Sequence, residues 1–257
     1  MAVEKTQAVI LKLMPYRESS SILYLLTEHH GIVHGIAKGL RKQNTHTSFF
    51  ERGFLIECLL YTKPHRDLHT ISDMSVAQFY PALRTDLLAS AIRDTAFETI
   101  LKTISSAYPC PELFSLVVNI LETLNTPATQ HMHCINLWWF FRDFVSLIGF
   151  EFNRTHCIAC SKPLLEATEG AYLLIEKGGF VCRHCSPLNN VRNYLSANAL
   201  QLLFNPNLSA EYAQRITAAE TLDITQLLAS YCQYHSDTNS DSKALYFLES
   251  LLKKMMP

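Results

Sequence analysis

The chain has 257 residues, of which 48% are hydrophobic and 18% are charged, and its formal net charge at pH 7 is −1. This composition supplies a packed core, excludes an intrinsically disordered chain, and at this length allows one large domain or about two smaller ones. The net charge excludes a generally basic nucleic-acid coat but not a local basic patch, because a phosphate backbone responds to the charges near it.

The amino-terminal part of the sequence predicts five short strands. They cover residues 6–13, 21–27, 32–37, 53–61 and 67–72. β-Branched, leucine and aromatic residues dominate these segments, and turn-like clusters around Pro15, Gly31, Gly39 and Pro64 separate them. The alternation of apolar and polar residues is imperfect, so this pattern is also compatible with a sandwich or an open sheet. Five strands in about 70 residues nevertheless favour a small barrel.

From Val76 onward the apolar residues recur at steps of three and four, which is typical of helices. The predicted helices cover residues 83–101, 112–124 after Pro111, 131–148, 197–204 after a capping Ser196, 224–234 and 242–255. The change of period places a domain boundary near residue 80. We therefore expect an α+β protein with a barrel over residues 1–79 and a helical domain over residues 80–257.

Residues 150–190 depart from the helical pattern and contain two Cys-x-x-Cys pairs, Cys157 with Cys160 and Cys182 with Cys185. The 21 residues between the pairs include an apolar run at 171–175 and Phe180-Val181, which predict a hairpin. Two such pairs supply four thiolates, the ligand set of a structural zinc ion. We therefore predict one zinc ion per chain, bound by an inserted module at about residues 153–190.

Redox-active cysteines and disulfides are the alternatives to zinc. A thioredoxin-like pair occurs once, at a strand-to-helix turn, and a protein of 29.2 kDa with its own core does not need disulfides for stability. His156 and His184 lie beside ligand cysteines and are interpreted as neighbours of the metal site, with replacement of one sulfur ligand by an imidazole nitrogen as the alternative. His131 and His133 are two residues apart on a predicted helix, so their side chains diverge and no metal is assigned to them.

The sequence lacks the common enzyme signatures. The segment Gly31-x-x-x-Gly35-x-x-Lys38 has the wrong spacing for a phosphate-binding loop, and the nucleophile-elbow and zinc-protease motifs are absent. The apolar stretches match neither a signal peptide nor a membrane span. We therefore expect a cytoplasmic protein without an enzymatic site.

The first 80 residues hold nine Lys and Arg against seven Asp and Glu, and no acidic residue occurs between Glu28 and Glu51. That interval contains Lys38, Arg41 and Lys42. A solvated turn is one interpretation of this loop, and on a small barrel a nucleic-acid contact is the other. The nearby aromatic candidates for base stacking are Phe49, Phe50 and Tyr61.

Several motifs occur in an order that spans almost the whole chain. The amino-terminal motifs are Tyr16-Arg17-Glu18-Ser19-Ser20, Leu26-Thr27-Glu28-x-x-Gly31 and Ala37-Lys38-Gly39-Leu40-Arg41-Lys42. The later motifs are Phe141-Arg142-Asp143-Phe144-x-x-x-Ile148-Gly149-Phe150-x-x-Asn153 and Gly178-Gly179-Phe180-x-Cys182-x-x-Cys185. This series resembles the RecO family of bacterial DNA repair and recombination mediators.

The resemblance implies an OB-fold barrel, a helical domain with a zinc module, and binding to single- and double-stranded DNA. It further implies strand annealing and, together with RecR and in some cases RecF, loading of RecA onto DNA coated by single-stranded DNA-binding protein, whose carboxy-terminal tail is a family partner. By the same resemblance Lys38, Arg41 and Lys42 are the DNA contacts, and the protein is cytoplasmic and nucleoid-associated. The alternative is a zinc-ribbon adaptor that joins proteins without binding DNA directly.

Overall fold

The structure is a computed structural model that describes residues 2–40, 50–62, 66–104, 109–153, 155–164, 169–186, 193–205, 210–236 and 241–254. Its amino-terminal part is a closed barrel with the strand order β1-β2-β3-β5-β4. The strands are β1 (Ala2–Tyr16), β2 (Ser20–Thr27), β3 (Gly31–Ala37), β4 (Leu55–Thr62) and β5 (Leu68–Gln78). The predicted five-stranded OB-fold barrel is confirmed.

Alternation along the strands fills the barrel interior with apolar side chains. In β2 the buried Leu23 and Leu25 belong to the barrel core, whereas Ile22 and Tyr24, which alternate with them, are half-buried on the outer surface. β3 pairs antiparallel with β2 and parallel with β5, and the other pairs that close the barrel are antiparallel. The register is fixed because a slip by one residue would turn the apolar set toward water.

A β-bulge in β1 changes which side chains face the barrel core. The register of β1 against β2 shifts between Ile10 and Lys12. Ile10 belongs to the core before the shift, and Leu13 packs against that core after it. One extra residue in the strand reverses the phase of the alternation. The bulge therefore leaves Lys12 on the outer surface, where it is exposed.

β5 extends six residues beyond the predicted end at Ser72. The predicted end was wrong because the last part of the strand faces water on one side. Met74 and Val76 pack against the barrel core, while the alternate residues Asp73 and Ser75 are exposed.

Helices follow the barrel. They are α1 (Ala82–Thr85), α2 (Leu87–Thr103), α3 (Pro111–Asn125) and α4 (Gln130–Leu147). The single helix predicted over residues 83–101 is interrupted at Asp86, whose carboxylate accepts hydrogen bonds from the backbone N–H groups of Leu88 (2.8 Å) and Ala89 (3.0 Å). Asp86 therefore caps the amino terminus of α2.

A small sheet and four more helices complete the described chain. The sheet has the order β7-β6-β8, with β6 (Ala171–Leu174), β7 (Gly179–Cys182) and β8 (Tyr194–Leu195). The helices are α5 (Ala197–Phe204), α6 (Ala210–Ala213), α7 (Ala218–His235) and α8 (Lys243–Lys254). Ser196 caps α5, as predicted, by accepting a hydrogen bond from the N–H of Ala199.

The chain divides into two compact units. The first consists of Met1–Thr85 and Ile104–Asn125, and the second of Asp86–Thr103 and Thr126–Pro257. The first unit thus contains the barrel with α3, which contacts β1. In the second unit α4 contributes the fully buried Trp138, and the indole N–H of Trp138 donates to the Thr225 hydroxyl of α7 at 2.9 Å. Within the described part of the chain, none of the helices combines the length and apolar character needed to cross a bilayer.

Candidate metal centre and nucleic-acid interface

The first cysteine pair lies in a tight turn closed by backbone hydrogen bonds. The N–H of Ser161 donates to the carbonyl of Cys157 at 2.8 Å, and the N–H of Cys157 donates to the carbonyl of Lys162 at 2.8 Å. Ser161 has a left-handed φ of 60°, which lets the chain reverse directly after Cys160. Both sulfur atoms of the pair are therefore delivered by one short turn.

The second pair follows the predicted hairpin, which β6 and β7 form. β7 ends at Cys182, and a 3₁₀ turn over Arg183–Cys185 supplies the fourth sulfur. The turn between the strands passes through Gly178 with φ 63°, a conformation that favours glycine. A hydrogen bond of 3.0 Å from the N–H of Ile158 to the carbonyl of Phe180 ties the first turn to β7.

These turns bring the sulfur atoms of Cys157, Cys160, Cys182 and Cys185 within 4.8 Å of one another. The Sγ atoms of Cys160 and Cys182 are 3.8 Å apart. Four thiolates held tetrahedrally at 2.3 Å from a zinc ion would have sulfur–sulfur distances of about 3.8 Å. The cluster is therefore close enough to bind a metal ion, and it is the only such group among the residues that the structure describes.

The protonation of the cluster also suits a cation. Burial opposes ionisation of Cys157, but hydrogen bonds from the backbone N–H groups of Cys182, Ala159 and Cys160 outweigh it and lower the pKa of Cys157 to about 6. Hydrogen bonding to Cys160 and Cys182 raises the pKa of Cys185 to about 12 in the metal-free chain. A bound cation would favour the ionised form of each thiol, lower the pKa of Cys185 and allow all four cysteines to ionise.

The neighbouring histidines lie outside the sulfur cluster. His156 and His184 are exposed, and the imidazole Nδ1 of His156 lies 3.0 Å from the Thr155 hydroxyl. His133 is buried on α4 with its Nε2 3.8 Å from a carboxylate oxygen of Asp86. Burial lowers the pKa of His133, which keeps the ring neutral at pH 7.

Lys38 is exposed immediately after β3, at an open groove of about 700 Å³ on the barrel surface. The groove is also lined by Tyr16, Arg17, Glu18, Ser19, Ser20, Ile36 and Gly39. Arg17 occupies the β1–β2 turn with a left-handed φ of 53°, and its guanidinium lies 5.3 Å from the centre of the Tyr16 ring. Arg41 and Lys42, the other two predicted DNA contacts, lie outside the described residues.

The aromatic candidates from the sequence differ in their surroundings. Phe50 is 7% exposed and belongs to the barrel core, so it does not offer a ring to a ligand. Tyr61 is half-buried on β4, and Phe49 lies outside the described residues.

Sequence reasoning missed an aromatic pair on the barrel surface. Tyr24 of β2 is paired directly with His34 of β3, and their ring centres are 4.2 Å apart. The ammonium of Lys12, opposite Tyr24 on β1, lies 5.2 Å from the centre of the Tyr24 ring. The alternation of β2 and β3 could have placed Tyr24 and His34 on the outer surface. Only the strand register shows that their side chains meet.

Comparison with known proteins agrees with this architecture. The chain matches the family described as Recombination protein O N terminal over residues 1–80 and that described as Recombination protein O C terminal over residues 84–244. The chain belongs to the RecO family. RecO proteins are DNA repair and recombination proteins, and the resemblance inferred from the sequence motifs is confirmed.

Individual RecO relatives match nearly the full length of the chain. The DNA repair protein RecO of Prosthecochloris aestuarii is 30% identical over 246 residues, which cover 91% of this chain and 92% of the relative. The DNA repair protein RecO of Chlorobium limicola is 28% identical, with coverage of 98% and 100%. That of Bacillus pumilus is 25% identical, with coverage of 98% and 96%.

Proposed function

We propose that this protein is a recombination mediator in RecF-pathway DNA repair. It binds single- and double-stranded DNA, anneals complementary strands, and helps to load RecA onto single strands coated by single-stranded DNA-binding protein. Its protein partners are RecR and the carboxy-terminal tail of single-stranded DNA-binding protein, with RecF in some assemblies. It acts in the cytoplasm, associated with the nucleoid, and by binding, without an enzymatic site.

The observation that carries this proposal is the position of Lys38. Its side chain is exposed at the end of β3, beside a groove that also contains Arg17 and the ring of Tyr16. A groove with cationic and aromatic side chains on an OB barrel is suited to a nucleic-acid backbone. Arg41 and Lys42 follow within four residues of Lys38 and add charge to the same segment of chain.

Annealing follows from charge neutralisation. Two complementary strands repel each other, and a protein surface that binds both raises their local concentration while it screens their phosphates. Each neutralised phosphate releases counterions, so log K falls with log salt by about 0.9 per contact on duplex and about 0.7 on single strands. The interaction is therefore salt-sensitive and independent of sequence.

The proposal includes one zinc ion per chain, bound by Cys157, Cys160, Cys182 and Cys185. With four protein ligands the ion has no open position for water or substrate, so its role is to stabilise the module. The sulfur–sulfur distances support this ligand set.

The test compares the wild-type chain with Lys38→Glu/Arg41→Glu. We expect the double variant to bind a labelled single-stranded oligonucleotide more weakly, with a salt slope smaller by about 1.4, which corresponds to two lost contacts. We also expect slower annealing of complementary strands. A matched control is Lys253→Glu/Lys254→Glu, which makes the same charge change at the end of α8 in the second unit.

Unchanged binding and annealing by Lys38→Glu/Arg41→Glu would overturn the contact assignment. If the wild-type chain bound no DNA and accelerated no annealing, the mediator function itself would fail, and the zinc-ribbon adaptor would become the better description. Displacement of single-stranded DNA-binding protein by RecA, measured with the chain and RecR present, tests the loading step.

A further inference from the structure

Three rows of outward-facing side chains cross strands β1, β2 and β3 of the barrel. Lys12, Tyr24 and His34 form the first row through direct strand pairing. The second row is formed by Met14, Ile22 and Ile36. Beyond it lies the groove with Tyr16, Ser20 and Lys38. We call these three rows the β1–β3 face.

The face combines apolar and cationic surface in a regular order. Met14 is 38% exposed, and Ile22 and Ile36 are half-buried, so the middle row is apolar. The exposed ammonium groups of Lys12 and Lys38 lie on opposite sides of that row. His34 lies in β3 and Lys38 directly follows the end of that strand, four residues later, which corresponds to about 13 Å. A ligand that follows this order needs flat apolar parts and a negatively charged backbone.

We propose that the β1–β3 face binds single-stranded nucleic acid through its bases, with one base stacked on the Tyr24–His34 pair. The inference rests on the proposed DNA-binding function and names the form of DNA that this surface selects. Aromatic rings hold bases of any sequence because every base has a π face. Burial lowers the pKa of His34, so its ring is neutral at pH 7 and stacks as an uncharged aromatic.

This surface discriminates against duplex DNA. In a duplex both faces of each base are already stacked on neighbouring pairs, so base edges and phosphates are accessible but no base face is free to stack on Tyr24. A single strand offers both a base for Tyr24 and phosphates for Lys12 and Lys38. The cationic residues therefore contribute to binding of either form, whereas the aromatic pair contributes to single strands alone.

The experiment uses two single strands of equal length and charge, one of oligothymidylate and one with abasic sites throughout. We expect the wild-type chain to bind oligothymidylate about 5- to 150-fold more tightly, as one stacked base would give. Tyr24→Ala should lose this difference and leave the affinity for the abasic strand unchanged. Tyr24→Phe should retain it, because the ring is kept.

The matched control is Tyr246→Ala, which removes an exposed tyrosine from α8, in the second unit. We expect this variant to keep the preference for bases. A second measurement needs no variant: a single strand with 5-iododeoxyuridine is irradiated on the wild-type chain, and the crosslinked peptide is identified by mass spectrometry. The expected crosslink lies on Tyr24 or His34.

The outcomes separate the inference from the function on which it rests. Equal binding of the two strands by the wild-type chain, or crosslinks confined to other segments, overturns base stacking while salt-dependent DNA binding stands. Absence of binding to both strands overturns the DNA-binding function as well. A preference for oligothymidylate that Tyr24→Ala leaves intact would likewise refute the inference.

Discussion

Removal of two thiolates from the cysteine cluster, by Cys157→Ser with Cys182→Ser, tests the metal assignment. Each substitution leaves one Cys-x-x-Cys pair with a single sulfur, so the double variant has half of the tetrahedral ligand set. We expect it to lose the metal, because serine hydroxyls do not replace thiolates on zinc. The unit that contains the module should become less stable, since the binding free energy of a structural metal is folding free energy.

The magnitude follows from linkage and from the size of the second unit. At a free zinc concentration about a thousandfold above Kd, binding stabilises the folded state by about 4 kcal/mol. In a unit of roughly 150 residues each kcal/mol shifts Tm by about 2 to 4 °C. Loss of the ion should therefore lower Tm of this unit by about 8 to 16 °C.

Tryptophan fluorescence isolates this transition. The two tryptophans of the chain, Trp138 and Trp139, both lie on α4 in the second unit, so their signal does not report on the barrel. Melts are recorded for the wild type with and without a chelator and for the double variant, and metal is measured per chain. The control is Cys110→Ser, which removes a cysteine outside the cluster. A wild-type protein that contains zinc but melts at the same temperature after chelation would refute the reasoning.

Three further predictions concern the stability of the second unit. Thr217→Ala removes the hydroxyl that accepts a hydrogen bond from the N–H of Glu220 at the start of α7. We expect the free energy of unfolding to fall by about 1 kcal/mol. Trp138→Phe leaves the buried hydroxyl of Thr225 without its indole donor. We expect the free energy of unfolding, measured with denaturant, to fall by about 1 to 3 kcal/mol. Burial lowers the pKa of His133 below 6.5, so its stabilising contribution is present above that pH and is lost as the pH falls. Tm should therefore fall less steeply between pH 7 and pH 5 in His133→Gln, and identical pH profiles would contradict this assignment.

The cysteine cluster shows what local spacing can predict. Each Cys-x-x-Cys pair specifies its own turn, and the apolar runs between the pairs specify a hairpin, so convergence of the four sulfurs follows from short-range information. The barrel was predictable for a similar reason, because turn residues divide an apolar segment into strands. These inferences needed no knowledge of distant contacts.

Helix boundaries were harder to predict, although the sequence contained one sign of where α7 begins. α7 begins at Ala218, six residues before the predicted start at Ile224. Thr217 and Glu220 have the spacing of a capping box, which marks a helix start, but the first turn contains few of the apolar residues on which periodicity depends. The break at Asp86 was missed because the apolar period continues across it while the capping carboxylate ends one helix and begins the next.

The β1–β3 face was not predictable from residue types. Tyr24 and His34 are ten residues apart in sequence, and their contact depends on the register that the turn before Gly31 imposes on β2 and β3. Lys12 joins them because the bulge in β1 reverses the alternation, and an apolar-polar pattern alone does not reveal which residue a bulge adds.

The order in which the chain builds its two units limits how the protein can be divided. The chain leaves the first unit at Asp86 to form α2, returns at Ile104 to form α3, and leaves again after Asn125. A fragment that ends at Thr85 therefore contains every barrel strand but lacks the helix that contacts β1. We expect the barrel to be poorly transferable as an independent module, and a cut after Asn125 does not solve this, because it separates α2 from α4 and α8, the helices of the second unit that it contacts.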